Sequence, residues 1–191
     1  MQDKSNRYAE KALAYMRAGQ GGKALAPSQR SIDIITRLRA EEPDNEQHLA
    51  QLAGKLYNHA GMLAQAGRIT EAAAAARRAL DSYLELTSGE VTLEALTGHR
   101  LVGLSHSLRP TAAAPDLFRL AALTADAKCR LASLLARLPE ADAETKVKAR
   151  KLGLEALETY QQLAQLNITY QADQVRVLSE YLRIVETTNE R

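Results

Sequence analysis

Apolar positions recur along the chain at helical spacing. The clearest case is a nine-residue pattern that appears as Arg30-Ser-Ile-Asp-Ile-Ile-Thr-Arg-Leu38, Arg78-Ala-Leu-Asp-Ser-Tyr-Leu-Glu-Leu86 and Glu155-Ala-Leu-Glu-Thr-Tyr-Gln-Gln-Leu163. In each copy a small residue is followed by an apolar one, an apolar or aromatic residue three on, and Leu three further. That is one face of a helix. A face repeated in several helices predicts stacked copies of one helical unit. The offset is regular at first: Leu38, Leu86 and Leu134 are 48 residues apart, as are Ser31, Ala79 and Ala127. The third copy is degenerate, with Lys128 in an apolar position, and the next clear copy ends at Leu163, only 29 residues on.

Breakers divide the pattern into about eight helices. They are expected over residues 5–18, 23–40, 46–65, 71–86, 90–108, 116–137, 143–166 and 171–187. Gly19, Gly21 and Gly22 end the first, and Pro27 falls near the start of the second, where a missing N–H is tolerated, or would kink that helix if it begins before Lys23. Asp44 or Asn45 is placed to cap the third helix and Thr70 the fourth. Arg109-Pro-Thr-Ala-Ala-Ala-Pro115 and the loop from Leu138 to Asp142 interrupt the pattern, and Asn167 supplies the last turn. Short loops make neighbours antiparallel. The expected fold is all-α: one domain over residues 1–191, an array of hairpins at about 5–41, 46–87, 90–137 and 143–187.

Composition fits this. Aromatics are scarce at 4%, with no Trp and one Phe, so the core must be built from Leu, Ala, Ile and Val. β-branched residues rarely alternate with polar ones, so no strand is expected. A net charge of +2 gives no reason to expect nucleic acid. The charge is uneven, since residues 1–40 hold eight Lys or Arg against Asp3, Glu10 and Asp33. No apolar stretch of 18 residues could span a bilayer and none resembles a signal peptide, so a cytoplasmic protein with no membrane partner is expected. Cys129, the only cysteine, sits at a core position of its helix.

One segment carries a family resemblance. Residues 56–80, which contain Ala60, Gly67, Ala72 and Ala79, resemble a tetratricopeptide repeat. In that family small residues stand where two helices cross, and a Gly ends the first helix. The likeness extends over residues 46–88, and residues 6–40 follow it with Ala24 and Ser31 in the small positions. Leu56 replaces the usual Trp and Leu84 the usual terminal Pro. The 48-residue period is longer than that of a standard repeat, so this is similar to a long-helix variant found in bacterial regulatory and scaffold proteins. The resemblance implies an α-solenoid that binds a peptide or helix in a concave groove lined by first helices. It places Tyr57, Asn58, Gly61 and Gln65 on that groove. The family's carboxylate clamp is not expected, because only Asn58 matches it: Val102 and His106 stand at the corresponding later positions, and Glu10 and Leu13 at the earlier ones.

Other candidate chemistry is sparse. His99 and His106 lie seven apart on one expected helix face, with His48 and His59 on the preceding first helix. A zinc site needs three or four compactly spaced ligands, so no metal is expected. Gly19-Gln-Gly-Gly-Lys23 lacks the phosphate-loop order and reads as a helix-ending turn. Lys146, Lys148, Arg150 and Lys151 are accounted for by pairing with Glu144 and Glu155 one turn away. No catalytic residue and no cofactor is expected. The sequence therefore predicts a non-catalytic interaction, scaffold or regulatory module with a protein or peptide partner, which the basic amino-terminal third would favour as acidic. The alternative is a small helical enzyme or ligand-binding protein with its site between the third and fifth helices, near Tyr57, Asn58, His99 and His106. A homodimer through Tyr160, Leu163, Leu166, Tyr170, Val177, Leu178 and Tyr181 is a further expectation.

Overall fold

The computed structural model describes residues 1–87 and 117–189. Among them the chain is helical, without strands. Seven α-helices are present: α1 (Gln2–Arg17), α2 (Gly21–Glu41), α3 (Glu46–Gln65), α4 (Ile69–Leu86), α5 (Leu117–Ala136), α6 (Ala143–Leu166) and α7 (Gln171–Asn189). A single 3₁₀ turn, Ile168–Tyr170, joins the last two. Among the described residues the count is seven, and the helix expected over residues 90–108 lies outside them.

Several ends follow the predicted punctuation. Asn45 caps α3, its side chain accepting from the amides of Gln47 and His48. Asp142 caps α6 by accepting from the Thr145 amide at 2.8 Å, an interaction that favours the charged carboxylate and lowers its pKa. Two starts differ. Helix α4 begins at Ile69, so Thr70 lies inside its first turn, and the Arg68 carbonyl accepts from the Ala72 amide instead. Helix α2 begins at Gly21, which puts buried Pro27 in the second turn. There it cannot donate to the carbonyl four residues back.

The described residues divide into two compact units, the first holding α1–α4 and the second α5–α7. In the first, α1 packs on α2, α2 on α3 and α3 on α4. The two hairpins are built alike, residue for residue, 48 apart. Their turns both place a glycine at positive φ, +70° at Gly19 and +76° at Gly67. In each, the following amide reaches back five residues, Gln20 to Tyr15 and Arg68 to Leu63, both at 2.9 Å. A residue with a Cβ is strained there, which is why glycine ends both helices. The crossings also match. Ala12 and Ala24 in the first hairpin correspond to Ala60 and Ala72 in the second, and Ser5 and Ser31 to Ala53 and Ala79. All eight are buried. At the outer crossing of the first hairpin the hydroxyls clasp reciprocally: Ser5 Oγ donates to the Ser31 carbonyl and Ser31 Oγ to the Ser5 carbonyl, each at 2.8 Å. Each hydroxyl thereby meets the hydrogen-bonding need that burial imposes.

The second unit closes on itself, since α7 packs on both α6 and α5. Its core gathers Ala121, Ala125, Cys129, Ala156, Leu157, Tyr160, Leu163 and Val177. A methyl group added at Gly153 of α6 would sit 3.0 Å from Tyr181 and 3.3 Å from Ile184, so α6 and α7 approach closely there. Lys128, in an apolar position of the repeat, is buried and pairs with Glu155 of α6 at 2.8 Å. Glu155 therefore reaches across to α5 instead of serving the expected Lys151 pair.

Two stability predictions follow from these contacts. Ser5→Ala and Ser31→Ala should each cost about 1 kcal/mol in urea unfolding, the usual worth of one hydrogen bond. The double variant should cost less than their sum, because Ala53 and Ala79 already pack at the equivalent crossing. At the second site, Glu155→Ala leaves the Lys128 ammonium without its carboxylate. It should cost about 2–3 kcal/mol, below the ~3–5 of a fully enclosed pair because part of Glu155 faces water. Lys128→Met with Glu155→Leu should recover most of that loss in the same assay.

Candidate functional site

Helices α1 and α3 of the first unit flank a small crevice floored by α2. Its lining is Ala9, Ala12 and Leu13 from α1, Ser28 and Ser31 from α2, and Lys55, Asn58 and Met62 from α3. The volume is about 20 Å³, room for a single water or one polar atom of a larger ligand. Small residues create it, because Ala9, Ala12 and the two serines leave space where longer side chains would close it. Lys55, Asn58 and Met62 reach it together because spacings of three and four residues share a helix face.

Lys55 gives the crevice its charge. Its Nζ donates to Asn6 Oδ1 at 3.1 Å. Burial lowers its pKa, and the nearby Glu10 carboxylate partly opposes that shift. An ammonium has three N–H donors, and Asn6 uses one. Asn58 beside it is exposed and carries both a donor and an acceptor. The crevice thus offers an ammonium and an amide beside apolar side chains of α1 and α3, an arrangement suited to a carboxylate or a backbone carbonyl.

The other expected groove residues are distributed differently. Tyr57 is half-buried against Ile32, Ile35, Leu52, Leu56 and Ala79. Gly61 is half-buried and Gln65 exposed near the end of α3. His99 and His106 lie outside the described residues. His48 and His59 are both buried, and eleven residues along one helix puts them roughly 16 Å apart, too far to share a metal. Among the described residues no three His, Cys, Asp or Glu side chains gather as metal ligands.

His59 has a different role. Its Nδ1 lies 2.9 Å from Ser28 Oγ, tying α3 to α2 just below the crevice. Burial lowers its pKa, with Arg68 and Arg78 adding to the shift and Glu71 and Asp33 opposing it. Cys129 is likewise buried, and desolvation pushes its thiol up to about 11, so it is a packing residue rather than a nucleophile. Tyr160 donates to Asp126 at 3.0 Å. Burial and that carboxylate raise its pKa and keep the phenol protonated.

Sequence reasoning missed Lys55 and Asn6. The available signal was the three-residue spacing of Lys55 from Asn58, but the partner Asn6 is 49 residues away. No protein-family model matches the chain, and no curated protein or solved structure is significantly similar to it. No helix among the described residues is long and apolar enough to cross a membrane.

The buried His59 makes stability depend on pH. In the unfolded chain its imidazole titrates near 6.5, whereas the folded protein takes up that proton only at lower pH. The unfolded state therefore binds more protons as pH falls below about 6.5, and stability declines. Urea unfolding should show wild type losing stability between pH 7.5 and 5.5, with His59→Gln losing less over the same interval.

Proposed function

We propose that the protein is a non-catalytic interaction module that holds a peptide or helix along the face shared by α1 and α3. The observation that carries this reading is the crevice itself, where Lys55, held by Asn6, and Asn58 come together between two consecutive first helices of a 48-residue repeat. Two hairpins with the same turn glycine and small residues at corresponding positions of both crossings support membership of a tetratricopeptide-like array. In such an array first helices line one wall, which is where Lys55 and Asn58 stand. A rigid wall keeps its shape when it binds, so little conformational entropy is lost.

The volume of the crevice also favours this reading over a pocket for a small-molecule substrate. Ligand pockets usually enclose roughly 300–1,000 Å³, whereas this one admits a single polar group. A partner would lie across the surface and insert one oxygen. The excess of Lys and Arg in residues 1–40 adds a field that attracts an acidic partner. An acidic side chain or carboxyl terminus would meet Lys55 and Asn58 together. In its cell the protein would act as a scaffold or regulator, bringing that partner to others.

Selection from a displayed peptide library tests the proposal. Enriched peptides should carry Asp, Glu or a free carboxyl terminus. Lys55→Glu should weaken them by about tenfold or more, and Asn58→Ala by a few-fold, as expected for one charged and one neutral hydrogen bond. Peptides that bind both variants as well as wild type would place the binding surface elsewhere.

A further inference from the structure

The outer face of α7 carries a second pattern that the interaction surface does not use. Gln171, Val175, Leu178, Leu182, Val185 and Asn189 follow one another at spacings of four, three, four, three and four. That is an uninterrupted a/d heptad seam, the arrangement by which one helix packs against another. Within the unit only its carboxy-terminal end is engaged, where Val185 is half-buried and Asn189 Oδ1 accepts from Arg150 of α6 at 2.8 Å. Val175 is 64% exposed, Leu178 41% and Leu182 53%. The inward face of the same helix is fully engaged. Val177 and Ile184 are buried, Arg176 reaches Asp126 of α5 at 2.6 Å, and Ser133 of α5 donates to Glu180 at 2.5 Å. Helical geometry turns the seam away from α5.

The order of residues along the seam is palindromic: amide, Val, Leu, Leu, Val, amide. Antiparallel helices pack in layers that set an a position of one against a d position of the other. About a twofold axis near residue 180, Leu178 then faces Leu182 of a second copy, Val175 faces Val185, and Gln171 faces Asn189. This is the self-complementarity that a twofold interface demands, residue i meeting j while j meets i. Flanking positions raise no obstacle. Ser179 and Tyr181 would meet their own counterparts near the axis, with Ala172 opposite Glu186 and Gln174 opposite Thr188, so no like charges oppose. The charged residues Asp173, Arg176, Glu180 and Arg183 lie off the seam and pair within the unit.

The geometry points to a second copy of this chain as the partner of α7, in a twofold antiparallel helix pair. The Val-Leu-Leu-Val order fixes its register, because a shift by one heptad would leave a leucine and a valine of each copy without an apolar counterpart. The proposal uses none of the residues that line the crevice between α1 and α3, so it stands or falls independently of the peptide-binding proposal. It also differs from the dimer surface that the sequence suggests. Tyr160, Leu163 and Val177 are buried core residues, Leu166, Tyr170 and Tyr181 pack against that core, and only Leu178 belongs to the seam.

Sedimentation velocity of the full chain at micromolar concentration is the first measurement, and a species of twice the chain mass is expected. Leu178→Glu with Leu182→Glu should return it to the mass of one chain while the far-ultraviolet circular dichroism spectrum stays that of a folded helical protein, since both side chains are exposed in the monomer. Orientation is read by oxidation. Val175→Cys alone should not cross-link to itself, because the two thiols would be about ten residues, or ~15 Å, apart along the pair. Val175→Cys with Val185→Cys should give a covalent dimer. A monomeric wild type, a dimer that survives the two glutamates, or cross-linking of the single cysteine variant would each overturn the proposal.

Discussion

The first unit depends on two helices coming close enough for their backbones nearly to touch. Dispersion is short-ranged, so a hairpin gains most where nothing larger than a hydroxymethyl group separates the helices. The chain meets that requirement with eight small buried residues in two matching sets. Six are alanines, and the other two, Ser5 and Ser31, turn the same close approach into a pair of hydrogen bonds. The glycine turns between the helices fix where the crossings fall. The crevice is a by-product of the same economy, because small residues that admit a neighbouring helix on one side leave a gap on the other.

The second unit uses the constraint differently. Gly153 lets Tyr181 of α7 settle against α6, and Tyr160 in turn is held by Asp126 and by the Arg176 guanidinium, 5.9 Å above its ring. Lys128 is the departure from the repeat. An apolar residue at that place would pack against almost any apolar face, whereas a buried ammonium accepts only a neighbour that brings a carboxylate. Glu155 does so, and the pair matches α5 to α6.

Much of the architecture is legible from residues alone. Helices α3 and α6 have the expected ends because their signals are local: Asn45 and Asp142 cap within three residues, and a proline or glycine stands nearby. The small positions Ala60, Ala72 and Ala79, marked by the resemblance to a tetratricopeptide repeat, are buried. The Ser5–Ser31 clasp is not readable, because serine in a helix resembles a solvent-facing residue until its partner 26 positions on is in place. The burial of Lys128 is hidden in the same way. At the crevice Asn58 is visible through its place in the repeat. Lys55 is not, since its meaning comes from Asn6 and Glu10 on another helix. Tyr57, which the resemblance places on the groove, is half-buried with one side against the core.

The near-neighbour packing of α1 through α4 also bears on how the chain acquires its shape. Each hairpin closes through residues separated by only a short stretch of backbone, so loop-closure entropy is small and folding should be rapid. As the chain leaves the ribosome, the α1–α2 pair has all its crossing residues before α3 has been made. It can therefore collapse first and serve as a template on which the next hairpin condenses, so that assembly proceeds in the direction of synthesis.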